Sequence, residues 1–149
     1  MQKPIATDTV AVADALRPVL LRVGRELRRE ARAEGISPEQ VGLLVAIKYA
    51  PQIGVRKLAT RERISAPAMT KHVDRLERAG LVARTPSADD KRRVGLTLTD
   101  DGQRTLRRVR SRRTAWLASR LGELGPGELA AVEAAIEPLS RLLKAEELA

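Results

Sequence analysis

The sequence predicts a mainly α-helical fold carrying one small β-hairpin, and three observations support that expectation. Apolar residues recur at three- and four-residue steps over most of the chain, as one buried helix face requires. Between Leu81 and Leu98 that period gives way to two short runs rich in Val, Leu and Thr, separated by a polar tip. Ser, Thr, Pro and Gly stand at the boundaries, where caps and turns need them.

The elements follow in order. Val12, Leu16, Val19, Val23 and Leu27 give an amphipathic first helix up to about Glu34, with Gly35 as its stop. Pro18 stands inside it. Its missing N–H and its clash with the preceding turn predict a kink or a later helix start. Ser37, Pro38 and Gln40 make a capping box for a second helix, in which Val41, Leu44, Val45 and Ile47 are apolar and which Pro51 ends. A third helix, Val55 to Arg63, gathers Val55, Leu58 and Ala59 on one face and turns Arg56, Lys57, Arg61 and Arg63 outward. Ile64 and Ser65 make the turn that follows.

Ser65 is suited to cap a fourth helix, Ala66 to Ala79, because its hydroxyl can accept from the free N–H groups of the first turn. Pro67 lies in that turn, where its lack of an N–H costs nothing. Met69, Val73 and Leu76 fall on a buried face of this helix, leaving Ala68, Thr70, Lys71 and Arg75 outside. Gly80 ends it, as a left-handed C-terminal residue would. Leu81–Thr85 and Val94–Leu98 suit two strands, with Leu96 and Leu98 on one face and the basic tip from Pro86 to Arg93 between them. Thr99 can cap a fifth helix, running from about Asp101 to Leu121, whose opening acids Asp100 and Asp101 suit the helix dipole. A sixth, from Pro126 to about Glu147, repeats Leu129, Val132, Ile136, Leu139 and Leu143 despite Pro138.

Two short helices joined by a turn and followed by a hairpin, from Val55 to Gly102, read as a winged helix-turn-helix, with the flanking helices N- and C-terminal to it. DNA is then the leading partner. Charge agrees: the chain carries +9, and Val55 to Gly95 alone holds 11 Lys and Arg against 5 Asp and Glu, whereas the tail from Leu121 has 2 basic and 6 acidic residues. Positive charge therefore gathers on and beside the hairpin unit, as docking on a polyanion needs. The absence of cysteine excludes disulfides, thiol redox chemistry and Cys-ligated metal. His72 is the single histidine and makes no transition-metal site alone, so it reads as structural or phosphate-proximal. With no phosphate-binding glycine loop and one histidine to serve as a base, enzymatic function has little support, and no catalytic residue, metal or cofactor is assigned. No run approaches the roughly 20 apolar residues of a membrane span, so a cytoplasmic protein without a membrane partner is expected.

Leu58-Ala59, Ile64-Ser65, Thr70-Lys71, Leu76-Glu77-Arg78-Ala79-Gly80-Leu81-Val82, Arg84, Asp90-Lys91-Arg92, Leu96, and Leu98-Thr99 followed by Gly102 together resemble the signature of the multiple-antibiotic-resistance regulator (MarR) family. Ile36-Ser37-Pro38-Glu39-Gln40 and Leu124-Gly125-Pro126-Gly127-Glu128-Leu129 sit where that family begins its second and sixth helices. The resemblance implies one domain over residues 1–149, with a DNA-binding lobe over 53–100 and helices over 8–34 and 102–147 interlocking in a homodimer. The stripes of the terminal helices, with no further domain in the chain to cover them, suggest a self-association surface, with intrachain packing as the alternative that periodicity alone does not separate. The resemblance further implies a repressor of promoter DNA, released when a small anionic or aromatic ligand enters the crevice between the lobes. The branch that senses peroxide through a cysteine is excluded here.

A two-fold dimer would read a pseudo-palindrome with half-sites about 10 bp apart. Thr70 and Lys71 project from the first turns of the recognition helix, where lysine can donate to guanine O6 and N7. Pro67 and Ala68 can press on thymine methyls, and Ser65 combines cap and phosphate neighbour. Arg75 and Arg84 are placed for phosphate. On the wing, Arg92 and Arg93 suit a narrow minor groove, and Asp90 would hold the hairpin or orient Arg92.

Tyr49 and Trp116 flank the lobe crevice, but helical aromatics usually bury themselves, so both are expected in the core and no effector residue is named. The arginines of the fifth helix, from Arg104 to Arg120, can extend the DNA-attracting field or pair with the acids of the sixth, and mixed use is expected. Basic charge alone would equally fit a sequence-indifferent architectural protein. A preference of about 10³-fold for one site over random DNA separates the two readings.

Overall fold

The structure is a computed structural model and describes residues 7–86, 90 and 92–143. Six helices and one hairpin follow in order: α1 (Thr9–Arg32), α2 (Pro38–Tyr49), α3 (Val55–Glu62), α4 (Ala66–Arg78), β1 (Val82–Pro86), β2 (Val94–Leu98), α5 (Asp100–Leu121) and α6 (Pro126–Arg141). This is the mainly helical architecture with a small wing that the periodicity predicts.

Asp8 starts α1 by accepting from the Val10 and Ala11 N–H groups. The helix then runs unbroken through Pro18, so the later start does not occur. Pro18 removes only the bond that its N–H would have made to the carbonyl four residues back, and the cap and the remaining bonds hold the first turns. Along the expected stripe, Val12 and Val19 are exposed, Leu16, Val23 and Leu27 are half-buried, and Ala31 is buried.

The capping box of α2 forms as read: Gln40 N–H donates to Ser37 Oγ at 3.1 Å and Ser37 N–H donates to Gln40 Oε1 at 3.0 Å. Val41, Leu43, Leu44, Ala46 and Ile47 are buried, which occupies more of the helix surface than a single stripe. Gly42, Val45 and Tyr49 form the outward strip. Tyr49 is therefore 74% exposed, against the expectation of core packing, and the Lys48 ammonium lies 5.7 Å from its ring centroid.

The third helix stops one residue short of its predicted end. Arg63 adopts the left-handed conformation (φ 57°), and Ile64 N–H donates to the Ala59 carbonyl at 3.1 Å. Gly80 is also left-handed (φ 75°), after α4, as a glycine at that position allows.

The strands pair antiparallel with Val82 opposite Leu98, Arg84 opposite Leu96 and Pro86 opposite Val94. An unforeseen third edge joins them: Ile53 bridges Leu96, through Gln52 N–H to the Leu96 carbonyl and Leu96 N–H to the Ile53 carbonyl, both 2.9 Å. Gly95 permits this approach, since a Cβ there would lie 2.6 Å from the Gln52 backbone. Ser87, Ala88, Asp89 and Lys91 of the predicted tip lie outside the described residues.

Thr99 knots the start of α5 to the end of α4. Its Oγ1 accepts from Gly102 N–H at 3.0 Å and donates to the Gly80 carbonyl, and its own N–H donates to the Leu81 carbonyl at 3.1 Å. A Cβ on Gly102 would run into that Leu81 carbonyl oxygen.

Residues up to Arg113 form one compact unit. Its core runs through Leu44 and Ile47 of α2, Leu58 of α3, Met69, Val73 and Leu76 of α4, Val82 and Leu96 of the wing, and Val109 of α5. Residues from Thr114 form a second unit, holding the last turns of α5 and all of α6. There Gly125 N–H donates to Glu128 Oε1 at 3.1 Å, and no residue of α6 is buried. The helix ends at Arg141, short of the expected Glu147, and residues 144–147 lie outside the described residues.

Two glycine substitutions of opposite sign test this packing. Gly102→Ala is expected to destabilise the fold by about 2 kcal/mol or more, because backbone must move to admit the methyl. Gly42→Ala, at an exposed helical site with nothing within 4 Å, is expected to stabilise by about 0.5–1 kcal/mol. Urea unfolding midpoints of the two variants check both signs.

Candidate nucleic-acid interface

Helix α4 is amphipathic in a way that fixes what it shows to solvent. Met69, Val73 and Leu76 are completely buried, so the 3.6-residue repeat turns Thr70, Lys71 and Arg75 outward, where all three are exposed. Neither the Lys71 ammonium nor the Arg75 guanidinium has an ion pair or side-chain hydrogen bond among the described residues. Thr70 Oγ1 donates to the Ala66 carbonyl at 3.0 Å, which fixes its hydroxyl against the helix. Pro67 is exposed and Ala68 half-buried at the leading end. Ser65 Oγ accepts from Ala68 N–H at 3.2 Å, so the cap is made, and the serine itself is exposed. His72 is half-buried, and among the described residues no cluster of His, Cys, Asp and Glu could hold a metal ion.

At the wing, Asp90 holds the turn: its Oδ1 accepts from Arg92 N–H at 3.0 Å and its carbonyl accepts from Arg93 N–H at 2.9 Å. The guanidinium nearest its carboxylate is that of Arg93, at 4.0 Å, rather than that of Arg92. The Arg92 guanidinium has no partner among the described residues, and both arginines are exposed.

Arg84, read as placed for phosphate, has two acid partners in the structure that were not foreseen. Its guanidinium donates to Asp74 Oδ1 at 2.9 Å and to Glu77 Oε1 at 3.0 Å, both on α4. The hydrogen bond to Asp74, with the charges of Glu77 and Asp74 and against the smaller opposing effect of burial, holds this guanidinium above its ordinary pKa. The two carboxylates were missed in the sequence. Their signal was there: Asp74 and Glu77 are three apart on one helix face, and Arg84 follows Val82 by two, on the strand face that meets the core.

The arginines of α5 also find unforeseen partners. Arg108 Nε lies 3.2 Å from Glu34 Oε2, Arg112 Nε 3.1 Å from Glu30 Oε2, and Arg113 Nε donates to the Leu27 carbonyl at 3.1 Å. The acids that answer Arg108 and Arg112 are thus on and just beyond α1, while Arg120 pairs at 3.6 Å with Glu123, one of the C-terminal acids expected as partners. Arg104 pairs with Asp101 within α5, while Arg107 and Arg110 have no partner among the described residues. Glu34, Arg104, Arg107, Arg108, Ser111 and Arg112 line an open cleft of about 480 Å³. Trp116 is half-buried, with the Arg120 guanidinium 5.7 Å from its ring centroid.

A capped helix with a free basic face, set in one core with a basic β-hairpin, defines a winged helix-turn-helix DNA-binding regulator. Comparison with known proteins narrows the class. The model of the MarR family matches residues 36–94, from just before α2 to the start of β2. The HTH-type transcriptional repressor MdtR of Bacillus subtilis is 30% identical over 115 residues, spanning 77% of this chain and 74% of that protein. A putative transcriptional regulator of Pseudomonas aeruginosa superposes with a TM-score of 0.78 at 30% identity, over 89% of this chain and 94% of its own. A variant of MepR from S. aureus, bound to an oligodeoxyribonucleotide, shares the fold with a TM-score of 0.69 at 19% identity, over 89% of this chain and 97% of its own. The chain belongs to the MarR family and is a MarR-type transcriptional regulator. Among its described residues no helix is long and apolar enough to cross a membrane.

Ser65→Ala is expected to lower stability by about 1 kcal/mol through loss of the α4 cap, with Ser65→Asp retaining most of it. Thermal unfolding without DNA measures the cap separately from any phosphate contact.

Proposed function

We propose that the chain acts in the cytoplasm as a homodimer that occupies a pseudo-palindromic operator and represses the promoter there. In this reading each protomer sets α4 in the major groove, with Ser65, Pro67, Ala68, Thr70, Lys71 and Arg75 toward DNA, and lays Arg92 and Arg93 along the flanking minor groove, Asp90 holding the wing turn. The observation that carries it is the outward face of α4, where Lys71 and Arg75 have no partner among the described residues while the opposite face is fully buried. Unpaired cations on a rigid helix are what phosphate and base-edge contacts require.

The dimer is supported by the apolar side chains that the terminal helices leave in solvent. Val10 is 68% exposed and Leu21 59% in α1, and Ile136 is 60% exposed in α6. Such surface is costly unless covered. Residues 53–100 would then be the DNA-binding lobe, and residues 8–34 and 102–147 the dimerisation lobe. Repression takes its support from the B. subtilis relative, which is named a repressor. Release by a small anionic or aromatic ligand draws support from the arginine-lined cleft beside Glu34, whose charge suits an anion.

Selection from a random duplex library at near-physiological salt tests this reading. Enrichment of a palindrome with half-sites about 10 bp apart is the expected outcome. Retained DNA affinity without enrichment overturns it in favour of a sequence-indifferent architectural binder.

Three substitutions sharpen the reading. Arg92→Ala is expected to weaken selected and random duplexes alike and to reduce the salt slope by about 1. Lys71→Ala should instead relax discrimination at one base position per half-site, by about 1–3 kcal/mol, seen when selection is repeated with the variant. Ile136→Glu should shift sedimentation toward the monomer mass and weaken operator binding with it.

A further inference from the structure

We infer that Arg84 is a positioning residue that locks recognition helix α4 to strand β1 of the wing, so that discrimination between DNA sequences depends on a residue held away from DNA. This rests on the docking of α4 proposed above.

The geometry is that of a fork closed on two acids. One terminal nitrogen of the guanidinium reaches Asp74 at 2.9 Å and the other reaches Glu77 at 3.0 Å. Asp74 and Glu77 lie on consecutive turns of α4, and Asp74 adjoins Arg75 in sequence and follows Lys71 by one turn. Beneath Arg84, on the same strand face, Val82 enters the core, and directly across the hairpin Leu96 is fully buried and bridged by Ile53 on its other edge. The strand end of the fork is thereby anchored by packing and by backbone bonds. Its helix end is the element whose angle sets where Lys71 and Arg75 point.

The charges argue for a clamp over a phosphate contact. A helix that meets a polyanion gains nothing from two carboxylates unless they serve another purpose, because each repels the phosphates it nears. Here both are paired with the guanidinium of one strand residue, which cancels half of their charge and holds them in place. Lysine would not substitute well: an ammonium is a single point of charge, whereas the planar guanidinium offers separate nitrogens to separate acceptors. The side chains of Arg84, Asp74 and Glu77 are 31%, 41% and 41% exposed. Pairs so wetted contribute little to global stability, so the variants are expected to fold and the consequence is read in DNA binding.

The test compares the selected duplex with a random duplex of equal length, across a salt series, using the full chain. Asp74→Asn with Glu77→Gln is expected to lower the ratio of selected to random affinity about tenfold or more, while random-duplex affinity holds or tightens because two negative charges have left. Arg84→Met should lower the ratio similarly with the salt slope unchanged. Arg84→Glu combined with Asp74→Arg and Glu77→Gln, which rebuilds the contact with its polarity reversed, should recover much of the ratio.

The inference is overturned if the Asp74 and Glu77 variant keeps the wild-type ratio. It is also overturned if Arg84→Met weakens both duplexes equally and lowers the slope by about 0.9, the signature of one lost phosphate contact. A wild-type chain that shows no preference among duplexes overturns the docking reading along with the clamp. Wild-type preference with unchanged ratios in the variants overturns the clamp alone.

Discussion

The direction in which α4 presents its basic side chains depends on the burial of the opposite face of this 13-residue helix. Met69, Val73 and Leu76 reach a core supplied by α2, α3, both wing strands and α5. Removing each of these side chains from water is worth about 1.5–3 kcal/mol, so the set fixes the rotation of α4 about its own axis. A turn of one residue would rotate the helix by about 100° and drive Lys71 or Thr70 into that core. The outward aim of the basic face is thus decided by apolar packing behind it. Polar contacts with α4 refine its angle without choosing its face.

A second constraint operates on backbone. The end of α4, the start of β1 and the start of α5 meet within a few ångströms at Gly80, Leu81, Thr99 and Gly102. Gly80 supplies the left-handed turn, Thr99 bonds to both neighbours, and Gly102 leaves the room that the Leu81 carbonyl needs. Any shift in the first turns of α5 is therefore felt at the C-terminal end of the recognition helix through two hydrogen bonds and one close contact. In the same compact unit, Arg108, Arg112 and Arg113 join α5 to α1 and the acid just beyond it. The part of α5 up to Arg113 is tied at its start to the end of α4 and the start of β1, and through Arg108, Arg112 and Arg113 to α1 and Glu34.

The sequence made the local parts of this arrangement legible and left the non-local parts hidden. The Ser37 box, the Ser65 cap, the Gly80 stop and the apolar stripe of α4 all involve residues within about one turn of each other, where spacing alone determines geometry. Arg84 illustrates the other case. Its partners lie seven and ten residues away on another element, and a basic strand residue next to a recognition helix reads equally well as a phosphate contact until the fold brings the acids beneath it. Glu30 and Glu34 are more remote still, 82 and 74 residues from the arginines they meet. Tyr49 failed for a different reason: α2 buries so many of its positions that the remaining strip, with Gly42 and Val45, faces solvent, and the general preference of aromatics for the core gave way to its place on the helix. The bridge from Ile53 to Leu96 escaped because a single pairing leaves no period to detect.

The distribution of charge changes meaning once partners are known. A net charge of +9 describes a basic chain, but its basic side chains include two groups with different physical roles. Arg84, Arg108 and Arg112 are answered by carboxylates and act mainly as ties between elements; their fields are largely cancelled beyond a Debye length. Lys71, Arg75, Arg92, Arg107 and Arg110 have no partner among the described residues, so their fields extend into solvent. Long-range attraction of a polyanion follows the second group, because uncompensated charge raises the encounter rate while paired charge does not. Lys71 and Arg75 belong to that group and also sit on the face whose direction the core fixes. On the proposed docking, encounter and recognition draw on the same side chains, with Arg84 serving to hold them where they are.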